Sequence, residues 1–272
     1  MDLLITADWL AANIHHTNVK LLDCTWVLPG EQSGLAQDYI PGARIFDIDR
    51  IADLTSQMKH MLPAADIFAK AVSDMGLSNN DHIICYDQHG VFSSPRAWWT
   101  FMTFGHEKVS ILDGGLKAWI KAGHKVENKP IESQVDSTFE TAAAHIAVVK
   151  KMRVLEALDK DVQIIDARPE ERFYGREPEP RAGLRSGHIP GSYSLPFGSL
   201  KTADGHFRPL PELAEIVGAR GIDLNKPIIT SCGSGITAAG LAFTLHRLGA
   251  KDISVYDGSW AEWGASDLPI EI

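Results

Sequence analysis

The sequence predicts an α/β protein made of two tandem copies of one unit, each a parallel sheet with helices on both faces. Three observations carry that expectation. First, the signals repeat in order: Val19-Lys-Leu-Leu-Asp23 is echoed by Val162-Gln-Ile-Ile-Asp166, Tyr39-Ile-Pro-Gly42 by His188-Ile-Pro-Gly191, and Ile83-Ile-Cys-Tyr-Asp87 by Ile228-Ile-Thr-Ser-Cys232. The interval is longer than any solenoid repeat, so it marks a duplicated domain. Second, short runs rich in Val and Ile alternate with helical patterns, as in parallel sheets covered by helices. Third, 272 residues is long for one core and comfortable for two.

In chain order, the first copy offers strands at 19–23 and 83–87 and helical patterns from Pro63 to Met75 and Pro95 to Phe104. It closes on Ile111-Leu-Asp-Gly-Gly-Leu-Lys-Ala-Trp119. The second copy offers strands at 162–166 and 227–231 and helical patterns from Pro211 to Val217 and Ala238 to Leu248. It closes on the matching Val255-Tyr-Asp-Gly-Ser-Trp-Ala-Glu-Trp263. Glu127 to Ala144 is polar, carries Pro130 and lacks periodicity, which suits a surface linker. The expected division is a domain over 1–130, a linker over 131–146 and a second domain over 147–272.

Composition narrows the function. A formal charge of −9, with 44% hydrophobic and 22% charged residues, fits a globular protein and opposes binding to nucleic acid or an anionic membrane. No apolar run has the length of a membrane span. The start, Met1 to Leu10, is acidic and lacks the features of a leader, so a cytoplasmic location is expected. Cys24, Cys85 and Cys232 form neither a C-x-x-C pair nor a zinc-type spacing, so neither a disulfide framework nor a zinc site is expected.

Ligands of open parallel sheets bind outside the carboxyl ends of the strands. The duplicated position there is Asp87 in one copy and Cys232 in the other. Cys232-Gly-Ser-Gly-Ile-Thr237 joins a buried strand to a helix, and Gly233 and Gly235 free the loop to point amides inward. The helix N-terminus adds positive potential, so both effects favour a thiolate that serves as a nucleophile. The amides of Gly233, Gly235, Ile236 and Thr237 would hold the outer sulfur of a persulfide. Cys24 and Cys85 lie in or after strands with no glycine-rich loop and read as core residues. Thiolate phosphatases need an arginine after five intervening residues, and that position is Ala238.

With these residues in place, the chain resembles the rhodanese superfamily over essentially its whole length, in the form of a tandem sulfurtransferase. The resemblance implies that the first domain has lost the cysteine and the second keeps it. The neutral Gly233 and Ser234 are similar to the 3-mercaptopyruvate branch, whereas thiosulfate-preferring members carry basic side chains there. Glu171-Arg-Phe-Tyr-Gly-Arg-Glu-Pro-Glu-Pro-Arg181 resembles that branch's substrate loop, which implies that Arg172 and Arg181 bind the carboxylate and keto group. Pairing of these arginines with Glu170, Glu171, Glu177 and Glu179 on an exposed loop is the plain alternative. The resemblance further implies that Asp49 and His60 join Ser234 in a serine-protease-like relay at an interdomain site; residues alone leave turn, capping and pre-helix roles open. Asp257-Gly-Ser-Trp260, His188-Ile-Pro-Gly191 and Trp98, Trp99, Trp119 and Trp263 read as structural.

The implied activity moves sulfur from 3-mercaptopyruvate through a Cys232 persulfide to cyanide or a thiol such as thioredoxin, and it implies no metal or organic cofactor. Thiosulfate:cyanide transfer and a non-catalytic sulfur carrier are the alternatives.

Overall fold

A computed structural model describes residues 2–27, 38–132 and 137–272. Its two compact units are 1–54 with 62–145 and 202–207, and 55–61 with 146–201 and 208–272. Residues 133–136 of the expected linker lie outside the described residues.

In the first unit, β1 (Leu4–Ile5), α1 (Ala7–Asn13), β2 (Val19–Asp23), β3 (Ala43–Ile45), α2 (Ala65–Asp74), β4 (His82–Tyr86), α3 (Ser94–Thr103), β5 (Val109–Leu112) and α4 (Gly115–Lys121) follow one another. The strands form one parallel sheet in the order β1-β5-β4-β2-β3. Ile84, Tyr86 and Leu112 pack with Leu10 of α1 and Leu116 and Trp119 of α4. Side chains alternate along a strand, so Ile83, Cys85 and Ile111 turn to the opposite face. There α3 packs on β4 and β5, and its Phe101 meets Phe68 of α2 edge-on at 5.2 Å. Helices therefore cover both faces.

Residues 137–145 run along this unit. The Phe139 ring is buried edge-on to Phe68 and Phe101, and Ala142 and His145 donate amides to the carbonyls of Phe104 and Met102. An aromatic anchor and backbone bonds hold this polar stretch on the core.

The second unit repeats the plan with β6 (Ala147–Val149), α5 (Lys151–Ala157), β7 (Gln163–Asp166), α6 (Glu170–Phe173), β8 (Tyr193–Ser194), a 3₁₀ turn at Phe197–Leu200, α7 (Leu210–Ala219), β9 (Ile228–Ser231), α8 (Ile236–Arg247), β10 (Ile253–Tyr256) and α9 (Ser259–Trp263). Its parallel sheet runs β6-β10-β9-β7-β8, the same order element for element. Strand β9 is buried at every position, Thr230 and Ser231 included, as the buried strand read from the sequence requires. Helix α8 starts at Ile236, two residues before the helical pattern read from the sequence, so Ile236 and Thr237 form its first turn. Gly240 lets α8 close on the 3₁₀ turn, because a Cβ there would stand 2.3 Å from the Phe197 ring.

Among the described residues no helix is long and apolar enough to cross a membrane, and no cluster of three His, Cys, Asp or Glu side chains is arranged for a metal ion.

Candidate active site

The two copies carry different chemistry at the ends of β4 and β9. After β4 the chain places Asp87, fully buried, and wraps the following loop around its carboxylate. Oδ2 accepts the amides of Phe92, Ser93 and Ser94 at 2.8–2.9 Å and the Ser94 hydroxyl at 2.8 Å. Oδ1 accepts the His89 amide at 2.9 Å. The loop is an anion cradle filled by the protein's own carboxylate.

After β9 the same position is Cys232, 2% exposed. Its Sγ accepts the Gly235 amide at 3.0 Å. Gly235 has φ 83° as the residue preceding α8, a left-handed conformation that costs an L side chain. That turn aims an amide back at the sulfur at the N-terminal end of α8. Cys232 and the loop of Gly233, Ser234, Gly235, Ile236 and Thr237 thus form one cradle, with Gly233, Ser234 and Thr237 half-buried.

Ser259 of the Asp-Gly-Ser-Trp segment, read from the sequence as structural, touches the cysteine. Its Oγ accepts the Cys232 amide at 3.1 Å and stands 3.9 Å from Sγ. Ser259 has φ 49°, an uncommon conformation for a residue with a Cβ. Gly115, its counterpart in the first copy, has φ 56°. The backbone of α9 closes the loop from the same side, with Trp260 and Ala261 donating amides to the carbonyls of Cys232 and Gly233.

The structure brings both arginines to this loop. Arg181 Nη1 donates to the Gly233 carbonyl at 3.2 Å. A Cβ at Gly233 would lie 3.3 Å from Arg172 Nη2 and 4.0 Å from Arg181 Nη1, so glycine leaves the two guanidiniums room beside Cys232. The plain pairing alternative holds in part. Arg172 pairs with Glu179 through Nε and Nη2, while Glu171 pairs with Arg176 and Glu170 with Arg220.

Behind Arg172 lies a buried array. Glu179, 2% exposed at its side chain, also accepts from Arg168 Nη1 at 2.7 Å. Arg168 holds Asp166 at the end of β7 through Nε and Nη2, donates to the Gly187 carbonyl, and covers the Trp260 ring at 4.3 Å. Burial alone favours loss of the Arg168 proton, but Asp166 and Glu179 outweigh it and push its pKa up. A buried cation held this way is costly to unpair.

Asp49 belongs to the first unit and accepts from Trp26 Nε1 at 3.2 Å. His60 lies in the 55–61 segment of the second unit, buried, with φ 67°. Cys24 and Cys85 are fully buried; burial pushes the Cys24 thiol well up, and Cys85, Asp23 and Asp87 add to it. Such a thiol is a poor nucleophile.

The arrangement can hold an anion beside a sulfur nucleophile and steady negative charge on that sulfur or on one bonded to it. Comparison with known proteins gives the family. The rhodanese-like domain model matches residues 6–122 and 152–266. A 3-mercaptopyruvate sulfurtransferase of Escherichia coli strain K12 is 43% identical over 274 residues, covering 98% of this chain and 97% of that protein. Thiosulfate/3-mercaptopyruvate sulfurtransferase 1, mitochondrial, of Arabidopsis thaliana is 40% identical over 297 residues, covering 98% and 78%. Among solved structures, SseA from Escherichia coli, described as a 3-mercaptopyruvate sulfotransferase with the rhodanese fold, superposes with a TM-score of 0.86 at 39% identity, covering 96% of this chain and 99% of that one.

Proposed function

The chain belongs to the rhodanese-like domain family, and on that premise we propose that it is a 3-mercaptopyruvate sulfurtransferase. The observation that carries the reading is the meeting of Arg172 and Arg181 at Gly233, next to a cysteine whose sulfur receives the Gly235 amide.

The Cys232 thiolate attacks the sulfur of 3-mercaptopyruvate while Arg172 and Arg181 hold its carboxylate and keto oxygens. The carbon–sulfur bond breaks, its electron pair passes into the enolate of pyruvate, and Cys232 keeps the sulfur as a persulfide. The Gly235 amide, which meets Sγ at 3.0 Å, and the neighbouring loop amides steady that outer sulfur. Ser234 serves proton movement from the substrate thiol to the enolate. Asp49 and His60 are assigned to the catalytic set on the family resemblance. The persulfide then passes its outer sulfur to cyanide or to a thiol such as thioredoxin by exchange at sulfur. The three unpaired cysteines suit the reducing cytoplasm, where such acceptors are abundant.

The test is pyruvate release from 3-mercaptopyruvate, with cyanide or dithiothreitol as acceptor, beside thiocyanate formation from thiosulfate, for wild type and Cys232→Ser. Preference for mercaptopyruvate with an inactive variant supports the reading. Preference for thiosulfate overturns the substrate assignment, and inertness toward both turns the chain into a carrier.

A further inference from the structure

The charges around the cradle are arranged unevenly. Two carboxylates, Asp166 and Glu179, and two guanidiniums, Arg168 and Arg172, form one continuous array of hydrogen bonds. That array is electrically neutral. Arg181 donates to the Gly233 carbonyl and, among the described residues, forms no ion pair. Of the charges that reach Gly233 directly or through its arginines, the sum is therefore one positive charge, contributed by Arg181.

We propose that Glu179 is a specificity-determining residue that limits the cradle to one net cation and so selects a monoanionic sulfur donor over a dianionic one. This rests on the sulfurtransferase reading. Glu179 acts in two ways. It occupies the Nε and Nη2 edge of Arg172, leaving the Nη1 side for a substrate oxygen, which suits one keto or carboxylate contact. It also cancels Arg172's charge at short range, where the surroundings screen poorly. A donor such as mercaptopyruvate brings one carboxylate charge and is matched by Arg181. Thiosulfate brings two charges close to the transferring sulfur, and the second has no counter-charge. The pairing is buried on the glutamate side and held from behind by Arg168, so it does not dissolve when substrate arrives.

The experiment compares kcat/KM for thiosulfate with kcat/KM for mercaptopyruvate, both with cyanide, in wild type, Glu179→Gln and Glu179→Asp, at low and high salt. Glu179→Gln leaves two net cations, and the thiosulfate-to-mercaptopyruvate ratio is expected to rise about tenfold at low salt and to fall back at high salt. Glu179→Asp keeps the charge and holds the ratio near that of wild type. In Arg172→Leu, set against wild type, the donors compared are thiosulfate and benzenethiosulfonate, a monoanionic sulfane donor that like thiosulfate lacks the carboxylate and keto group held by Arg172. The cradle is then neutral and the ratio of the dianion to the monoanion falls, which decides the matter if Glu179→Gln does not fold. A ratio unmoved in Glu179→Gln, or raised in Arg172→Leu, overturns the proposal. Wild-type turnover of mercaptopyruvate judges the underlying reading separately. An active wild type with an unmoved ratio removes the proposal alone, whereas an inactive one removes both.

Discussion

The Ser259 hydroxyl accepts the amide proton of Cys232 at 3.1 Å, stands 3.9 Å from its sulfur, and donates to the Tyr256 carbonyl at 2.8 Å. It does so from a left-handed backbone that the first copy gives to Gly115. Strain of this kind persists where the surroundings over-determine it, often at functional sites. Ser259→Gly is expected to lower kcat about tenfold while leaving the thermal midpoint unchanged or raised. Ser259→Ala, which keeps the strain and orphans the Cys232 amide, is expected to lose similar activity and about 1–2 kcal/mol of stability. Steady-state kinetics and thermal melts of the two variants check this.

The arginines and the serine of the cradle are expected to separate kinetically. Arg172→Ala should mainly raise KM for mercaptopyruvate, by about tenfold or more, because it removes binding common to ground and transition states. Ser234→Ala should mainly lower kcat, because it removes a proton path used during the reaction. Initial rates over a substrate series decide between these patterns, and unchanged parameters in both variants would undo the assignment.

The same residues show what the sequence reveals and where it falls silent. Repeated strand endings place Asp87 and Cys232 at equivalent points before any coordinates, because a buried strand followed by a small-residue loop is written locally. Arg172 and Arg181 are legible as a loop rich in charge, and the family resemblance aims them at the substrate. Ser259 and Glu179 are hidden for physical reasons. The hydroxyl of Ser259 reaches Cys232 across 27 positions through the pairing of β9 with β10, and a left-handed φ leaves no mark on a serine codon. Glu179 is one of four neighbouring glutamates, and it is the buried one that pairs with Arg168, whose guanidinium lies over the Trp260 ring. The role of 137–145 is hidden likewise, since one buried ring, Phe139, is too sparse to create periodicity.

Asp87 should be among the most sensitive positions of the first unit. Asp87→Ala leaves the amides of His89, Phe92, Ser93 and Ser94 without their acceptor inside the fold. A loss of about 3 kcal/mol or more is expected, since each orphaned buried donor costs of order 1 kcal/mol or more. Denaturant unfolding measures it, and a change under about 0.5 kcal/mol would show that the cradle does not need its carboxylate.

His106 sets an acid limit on stability. Its ring lies against Phe101 and Phe139, and burial lowers its pKa below the ordinary 6.5, with the Lys108 carbonyl opposing in part. The folded state therefore resists a proton that the unfolded chain accepts. Stability from this residue is complete above the ordinary value and is lost as pH falls from there toward the lowered value. His106→Gln should flatten the fall in thermal midpoint between about pH 7 and pH 5, and an equally steep fall in the variant would assign it to other groups.

The carboxylate in the first cradle is tethered, so its local concentration exceeds that of any dissolved anion by orders of magnitude, and no ligand displaces it by mass action. A ligand that cannot enter cannot stabilise. When mercaptopyruvate, pyruvate, sulfite or thiosulfate raises the melting temperature of this protein, the first cradle contributes nothing to that linkage. In thermodynamic terms, duplication has produced one half with a saturable isotherm and one half that is permanently at its plateau.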